Sequence, residues 1–299
     1  MVTTSDALRY TAFAASDGGG NPAGVVLDAR GMSDQEMLAV AADIGFSETA
    51  FLFPEDAWTG SPTDEGWQRQ ADVRYFSPRA EVPFCGHATI ATAVAHAERF
   101  GTGVLDLATI AGRVPVTTRR HDQRVLATLT SVEPSMEPLA PELLERALAA
   151  LGWTRDALDD ALPPRVAFAG ARHPVLAVTS RELLARLAYD YEALDALMAE
   201  QDWTTMQLIQ RERDDLFHAR NPFPPGGVVE DPATGAAAAA FGGYLRSLGL
   251  VPSSGQIRIH QGDDMGRPSL LLVDIPGQGG IDVTGSASVY RDGVTTTHV

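Results

Sequence analysis

The 299-residue chain predicts an α+β fold of two pseudo-symmetric lobes, each a mixed or antiparallel sheet wrapped round one central buried helix. Three observations carry this expectation. Ala236-Ala237-Ala238-Ala239-Ala240-Phe241 is a helical run with no polar face, and such a helix must be packed on all sides. A second small, apolar run, Ile90-Ala91-Thr92-Ala93-Val94-Ala95, has the same character. Each follows a polar, glycine-bearing turn, Cys85-Gly86-His87-Ala88-Thr89 in one case and Asp231-Pro232-Ala233-Thr234-Gly235 in the other. A strand and a proline-bearing loop precede each turn at matching spacing, so one order of elements occurs twice.

The elements follow in order. Leu8 to Ala14 alternates as a strand, residues 17–24 form a turn, and Val25 to Leu27 is a second short strand. The glycines at 18–20 lead into that strand rather than a helix, which argues against a dinucleotide loop. Ser33-Asp34-Gln35-Glu36 has capping-box chemistry, and Met37, Leu38, Ala41 and Ile44 give a helical stripe ending at Gly45. A strand starts at Phe46, residues 55–70 read as loop, and Ala71 to Phe76 is a strand. After the first central helix, a hairpin turns at Ala111-Gly112 and Val125 to Thr130 forms a further strand.

Residues 131–141 are the linker, giving lobes at 1–130 and 131–299. The second lobe begins with a helix over 141–151 and strands at 165–169 and 174–178. Helices follow at 180–188 and 191–198, then strands at 205–211 and 215–219. A hairpin joins 257–262 to 269–274. The final strand, 281–290, is free to cross back to the first lobe.

Bulk properties exclude several functions. A formal net charge of −16 disfavours nucleic acid and anionic membrane as partners, because phosphate binding needs a basic patch. No stretch of about 18 apolar residues is present, so no membrane span is expected. The first residues, Met1 to Asp6, carry no secretory signature, and cytosol is the default compartment. All basic residues are arginine; the absence of lysine removes lysine Schiff-base chemistry and the phosphate-loop lysine. The single Cys85 allows no internal disulfide and no cysteine-based zinc site.

Three polar residues stand in apolar or glycine-rich surroundings: Glu48, His87 and Asp231. Each has an ordinary alternative, a solvent-facing strand carboxylate, a core hydrogen-bonding histidine and a helix N-cap. Together they form an acid/base group able to move protons on a small molecule with neither metal nor cofactor. The helix starts at Gly86 to Thr89 and Gly235 to Ala237 would supply positive potential for a small anionic metabolite, with both turns expected at one cleft. Cys85 is open to two readings, an inert core thiol or a racemase base, and the lack of a second cysteine favours the first. A metal site from Cys85, His87 and His96 is disfavoured, since the two histidines lie nine residues apart on one helix.

Gly20-Asn21-Pro22-Ala23, Phe46-Ser47-Glu48-Thr49-Ala50-Phe51, Phe76-Ser77-Pro78 through Glu81 to Thr89, Asp231 to Gly235, and Gly262 through Met265-Gly266-Arg267-Pro268 resemble the PhzF family of phenazine-biosynthesis-like isomerases. The matches come in family order along nearly the whole chain. The resemblance implies a diaminopimelate-epimerase-like fold, a homodimer, and a cofactor-free proton shift like the isomerisation of trans-2,3-dihydro-3-hydroxyanthranilate. It implies that Glu48 removes and returns the proton, that His87 and Asp231 assist, and that Ser47, Gly86, Gly235 and Ala236 contact substrate. The family's best-understood member has serine where this chain has Ala236, which leaves the substrate open. It also keeps alive a binding protein that has lost the reaction.

Overall fold

The computed structural model describes residues 7–110 and 112–291. The stretch Met1 to Asp6 read above for a leader, and Ala111 of the expected hairpin turn, lie outside the described residues. In chain order the first half contains β1 (Leu8–Ala12), β2 (Asn21–Val26), α1 (Asp34–Ile44), β3 (Glu48–Pro54), β4 (Trp67–Phe76), β5 (Glu81–Val82), α2 (Gly86–Phe100), β6 (Gly103–Thr109), β7 (Gly112–His121) and β8 (Arg124–Thr130). Then come β9 (Ser135–Pro138), α3 (Pro141–Leu151), β10 (Arg165–Phe168), β11 (Arg172–Val178), α4 (Arg181–Ala185) and α5 (Tyr191–Gln201). The chain continues with β12 (Gln207–Arg213), β13 (Leu216–Arg220), α6 (Gly235–Leu248), β14 (Gln256–Gln261), β15 (Ser269–Asp274) and β16 (Asp282–Val289). The chain divides into two compact units, one of residues up to Thr130 with those from Thr284 onward, the other Ser131–Val283.

In the first unit the strands close on themselves in the order β16, β1, β2, β3, β4, β6, β7, β8 and back to β16. Closure leaves no open sheet edge. The pairs β2/β3 and β4/β6 are parallel, and the connection between each pair is a helix, α1 and α2 respectively, as parallel neighbours require. Helix α2 runs inside the ring, and every residue from His87 to Ala97 is buried. Its alanines and threonines keep it thin enough to fit inside the ring. Helix α1 packs outside. The Ser33 hydroxyl accepts from the Glu36 amide while the Glu36 carboxylate accepts from the Ser33 amide at 2.7 Å, and Gly45 ends the helix at φ 73°. Its buried face is Met37, Val40, Ala41 and Ile44.

The second unit has the strand order β9-β10-β11-β12-β13-β14-β15. It is again mixed, with β11/β12 and β13/β14 parallel. Helices α4 and α5 cross between the first pair and α6 between the second. The strands curl round α6, which touches both β9 and β15 at the two ends of that order. All of Ala237 to Leu245 is buried. A Cβ at Gly243 would sit 2.4 Å from Pro134 Cβ, so that helix face is fixed as glycine by close approach. Helices α3, α4 and α5 cover the outside of the sheet with Leu148, Leu151, Leu197 and Met198 against Leu176 and Leu208.

The α+β fold with one buried helix per unit is the predicted one, and three element assignments change. Strand β4 begins at Trp67, inside the stretch expected as loop. Its polar positions alternate outward, and its partner β6 is a distant parallel strand that local sequence does not reveal. Residues 135–138 of the linker form β9, an edge strand bonded only to β10, a place where Pro138 is tolerated. Asn21 to Gly24, expected in a turn, open β2.

Candidate active site

Within the first unit, Glu48, Ser47, Cys85, His87 and Asn21 are assembled at the ends of three elements. Glu48 is the first residue of β3, beside Ala23 of its parallel neighbour β2, which Asn21 opens. Cys85 is the N-cap of α2 and His87 its second residue. The ring close to the strand ends thus brings three chain-distant segments together.

His87 is 5% exposed. The Asn21 Nδ2 amide donates to its Nδ1 at 3.1 Å. In the neutral imidazole this leaves the proton on Nε2, which faces a Glu48 carboxylate oxygen at 3.4 Å and the Ser47 hydroxyl at 3.4 Å. The Glu48 side chain keeps only 13% of its surface in solvent. The Cys85 thiol points at the same Glu48 oxygen from 3.6 Å and lies 3.4 Å from His87 Nδ1. Cys85 is buried, as its inert-core reading expects, yet its sulfur faces reactive groups rather than hydrocarbon alone.

A second layer fixes the tip of α2. The Thr89 hydroxyl donates to the Cys85 carbonyl at 2.7 Å, so the Tyr75 hydroxyl, 2.6 Å from Thr89 Oγ1, must donate to it. Burial pushes the Tyr75 phenol up and keeps it a neutral donor. The N-cap residue Cys85 makes no side-chain bond to the helix start, so the first amides of α2 keep their donor capacity for an anion. The chemical capacity of the group is proton transfer: an acceptor carboxylate beside an imidazole N–H and a thiol. Sequence reading missed Asn21, which hides in a glycine-proline stretch, and Tyr75 and Thr89, which look like ordinary strand and helix residues.

His96 is elsewhere. It sits at the far part of α2, accepts from Arg69 Nη1 at 3.2 Å, and meets the Trp58 and Trp67 rings at 4.5 and 4.8 Å between centroids. Desolvation, helped by the Arg69 charge, holds it down to about 3. The metal set weighed from sequence, Cys85 with His87 and His96, is therefore not the one assembled. Glu48, Cys85 and His87 instead bring one donor atom each within 4.8 Å of one another.

The second unit carries its own turn. Asp231 is buried, its amide donates to the Asn221 carbonyl at 2.9 Å, and its carboxylate accepts from the Thr234 hydroxyl at 2.6 Å. Gln261 braces the turn, donating to the Asp231 carbonyl at 2.7 Å and accepting from the Thr234 amide at 3.2 Å. Thr234 is the N-cap of α6 and makes no side-chain bond to the helix start. Gly235 is buried and Ala236 partly exposed in the first turn of α6. The neighbouring Glu230 has a different role. It is buried and pairs through both oxygens with Arg220, at 3.0 and 3.1 Å from Nε, while Arg220 Nη1 donates to the Ala185 carbonyl at the end of α4.

No helix among the described residues is long and apolar enough to cross a membrane. The profile of the phenazine biosynthesis-like protein family matches residues 10–293. An uncharacterized isomerase of Mesorhizobium japonicum is 34% identical over 93% of this chain and 93% of its own. Trans-2,3-dihydro-3-hydroxyanthranilate isomerase of Pseudomonas aeruginosa is 30% identical over 94% of this chain and 96% of its own. In fold, the chain resembles a PhzF-family phenazine biosynthesis protein of Bacillus anthracis, with TM-score 0.79 at 23% identity over 95% and 96% of the two chains. A hydroxyproline epimerase of Agrobacterium vitis shares the fold more loosely, at TM-score 0.60 and 15% identity over 95% and 90%. The match runs from Tyr10, the third residue of β1, to beyond β16, and with isomerases among its named relatives the chain belongs to the phenazine biosynthesis-like protein family and is an isomerase.

Proposed function

We propose that the protein catalyses a cofactor-independent proton shift within a small carboxylate-bearing metabolite, with Glu48 as the group that takes the proton from one carbon and returns it to another. The observation that carries this is the Glu48 carboxylate oxygen lying 3.4 Å from His87 Nε2 and 3.6 Å from Cys85 Sγ. A carboxylate shielded from water and flanked by an imidazole and a thiol, with no arginine paired to it, has acceptor capacity. The substrate's own atoms supply both ends of the transfer, so no oxidant or co-reactant is consumed. The uncapped start of α2 suits the substrate carboxylate, with Ser47 and Gly86 beside it; Asp231, Gly235 and Ala236 enter this reading through the family resemblance. The same resemblance supports a homodimer.

The test is hydrogen exchange in deuterated water. The compound named for the Pseudomonas relative, trans-2,3-dihydro-3-hydroxyanthranilate, is tried first, followed by other small unsaturated carboxylates. Wild-type protein should isomerise its substrate and wash deuterium into it, while Glu48→Gln should fold normally and lose about 10²–10⁴-fold in rate, the usual worth of a positioned acid/base group. Exchange that survives in Glu48→Gln would refute the assignment.

The thiol contact favours one second reading, a racemase or epimerase in which Cys85 is the base. Cys85→Ala separates the two: it should abolish turnover under the thiol reading and lower it only modestly under the Glu48 reading.

A further inference from the structure

We propose that Gln261 is a positioning residue for Asp231, the source of a hydrogen-bond relay that runs from Gln261 through Thr234 to the Asp231 carboxylate and fixes that group as an acceptor beside the start of α6. Gln261 ends β14, and strand alternation places its side chain on the same face as Ile257 and Ile259, both 0% exposed. It is itself 1% exposed. A glutamine where the pattern calls for a third isoleucine must have its polar atoms bonded, and each bond it makes goes to the Asp231 turn.

Chemistry fixes every direction in the relay. The Thr234 backbone N–H can only donate, so the atom it meets at 3.2 Å is the Gln261 oxygen, Oε1. The other end of the amide is therefore Nε2, which donates to the Asp231 carbonyl at 2.7 Å and to the Thr234 hydroxyl at 3.0 Å. Turning the amide end for end would set oxygen against the carbonyl and nitrogen against the N–H, so the assignment is unique. With its oxygen accepting from Gln261, the Thr234 hydroxyl spends its own proton on Asp231 Oδ2 at 2.6 Å. A donor aimed at a carboxylate favours the ionised form. Packing closes the clamp from the same segment. A Cβ at Gly262, where φ is 78°, would sit 2.8 Å from the Pro232 carbonyl oxygen and closer still to that of Arg267, so only glycine lets the backbone after Gln261 lie against the Asp231 turn.

The link to turnover rests on the reading that Asp231 assists the proton shift, whereas the relay itself is measured without substrate. The experiment labels the aspartate carboxyl carbons of the full-length protein with ¹³C and follows Asp231 by NMR across pH, its signal assigned by its loss in Asp231→Asn. Thr234→Val removes the donor to the charged form and should raise the Asp231 titration midpoint by about 1–2 pH units. Gln261→Met keeps the Thr234 hydroxyl but no longer imposes its direction, and should raise the midpoint by a smaller amount. Thr234→Ser should keep the wild-type midpoint. A role in packing alone would lower stability to urea in these variants and leave the midpoint where it is. With trans-2,3-dihydro-3-hydroxyanthranilate, Gln261→Met should lose kcat with KM little changed. If Asp231→Asn turns over at the wild-type rate, the participation of Asp231 is refuted and the titration still decides the relay. A midpoint unchanged in Gln261→Met overturns the proposal, and so does one unchanged in Thr234→Val, a result that needs no Gln261 variant to fold.

Discussion

The two units use one device with opposite electrostatics. In each, an antiparallel strand pair leads through a crossover into a second pair, and a buried helix then crosses to a parallel neighbour: β4-α2-β6 in one, β13-α6-β14 in the other. In both, the N-cap residue, Cys85 or Thr234, makes no side-chain bond to the helix start. The first unit sets Glu48 against a thiol and an imidazole, partners that carry no obligatory charge. The second ties Glu230 to the Arg220 guanidinium and the Asp231 carboxylate to the Thr234 hydroxyl. A fixed cation makes a carboxylate a structural part; partners without an obligatory charge suit the proton-carrying role proposed for Glu48.

The largest expected effect breaks this contrast on the side of function. Glu48→Gln should cost orders of magnitude in proton exchange while leaving stability to urea within about 1 kcal/mol, because no buried cation loses its partner. The mirror experiment in the second unit should be the reverse. Glu230→Ala strands Arg220, whose side chain is 11% exposed, and should cost about 3–5 kcal/mol in urea unfolding, as removal of one partner of a buried ion pair does. A double change of Arg220→Met with Glu230→Leu should cost less than Glu230→Ala alone. If Glu230→Ala proves harmless to stability, the division of labour between the two carboxylates is wrong.

Sequence alone made part of this legible. Glu48 and His87 stand out because a charged or titratable group among Phe, Ala and Gly needs a reason, and the central helices stand out because polyalanine has no solvent face. Asn21 did not, since an asparagine between glycine and proline looks like turn chemistry. Nor did the separation of Glu230 from Asp231. Adjacent acids look equivalent in a sequence, and only Arg220, ten residues upstream across the isolated Pro222/Glu230 bridge, tells them apart. The strand at Trp67 was hidden for a related reason: its partner β6 lies beyond the whole of α2.

A smaller effect compares two buried histidines, one per unit. His173 is fully buried, and because the Thr205 hydroxyl donates to Asn221 Oδ1, His173 must donate to Thr205 through Nδ1. Desolvation holds it down to about 4, and His96 to about 3. Both folded values lie below the ordinary value near 6.5, so the unfolded chain binds the extra protons first. Their contribution to stability is therefore complete above about pH 6.5 and falls as pH drops toward the folded values. Between pH 6.5 and 5 each histidine should cost up to about 2 kcal/mol. Chemical denaturation across that window should show the slope, and His173→Asn, which keeps a donor for Thr205 but cannot titrate, should flatten it by one histidine's share. An unchanged slope would mean that His173 is protonated in the fold.

The smallest effect concerns how the tip of α2 is held. Tyr75→Phe removes the donor to Thr89 but leaves the Thr89 hydroxyl donating to the Cys85 carbonyl. The stability cost should be about 1 kcal/mol, the net worth of one neutral hydrogen bond. Thr89→Val should cost more, because it leaves both the Tyr75 hydroxyl and that carbonyl without this partner in a buried place. The two variants should also separate in proton exchange. If the side chains behind the helix tip place Cys85 and His87, Thr89→Val slows exchange more than Tyr75→Phe does, in the order of their stability costs. Should both variants exchange at the wild-type rate, the backbone of α2 alone positions the two residues, and the hydroxyl chain is a packing feature of the first unit with no bearing on its chemistry.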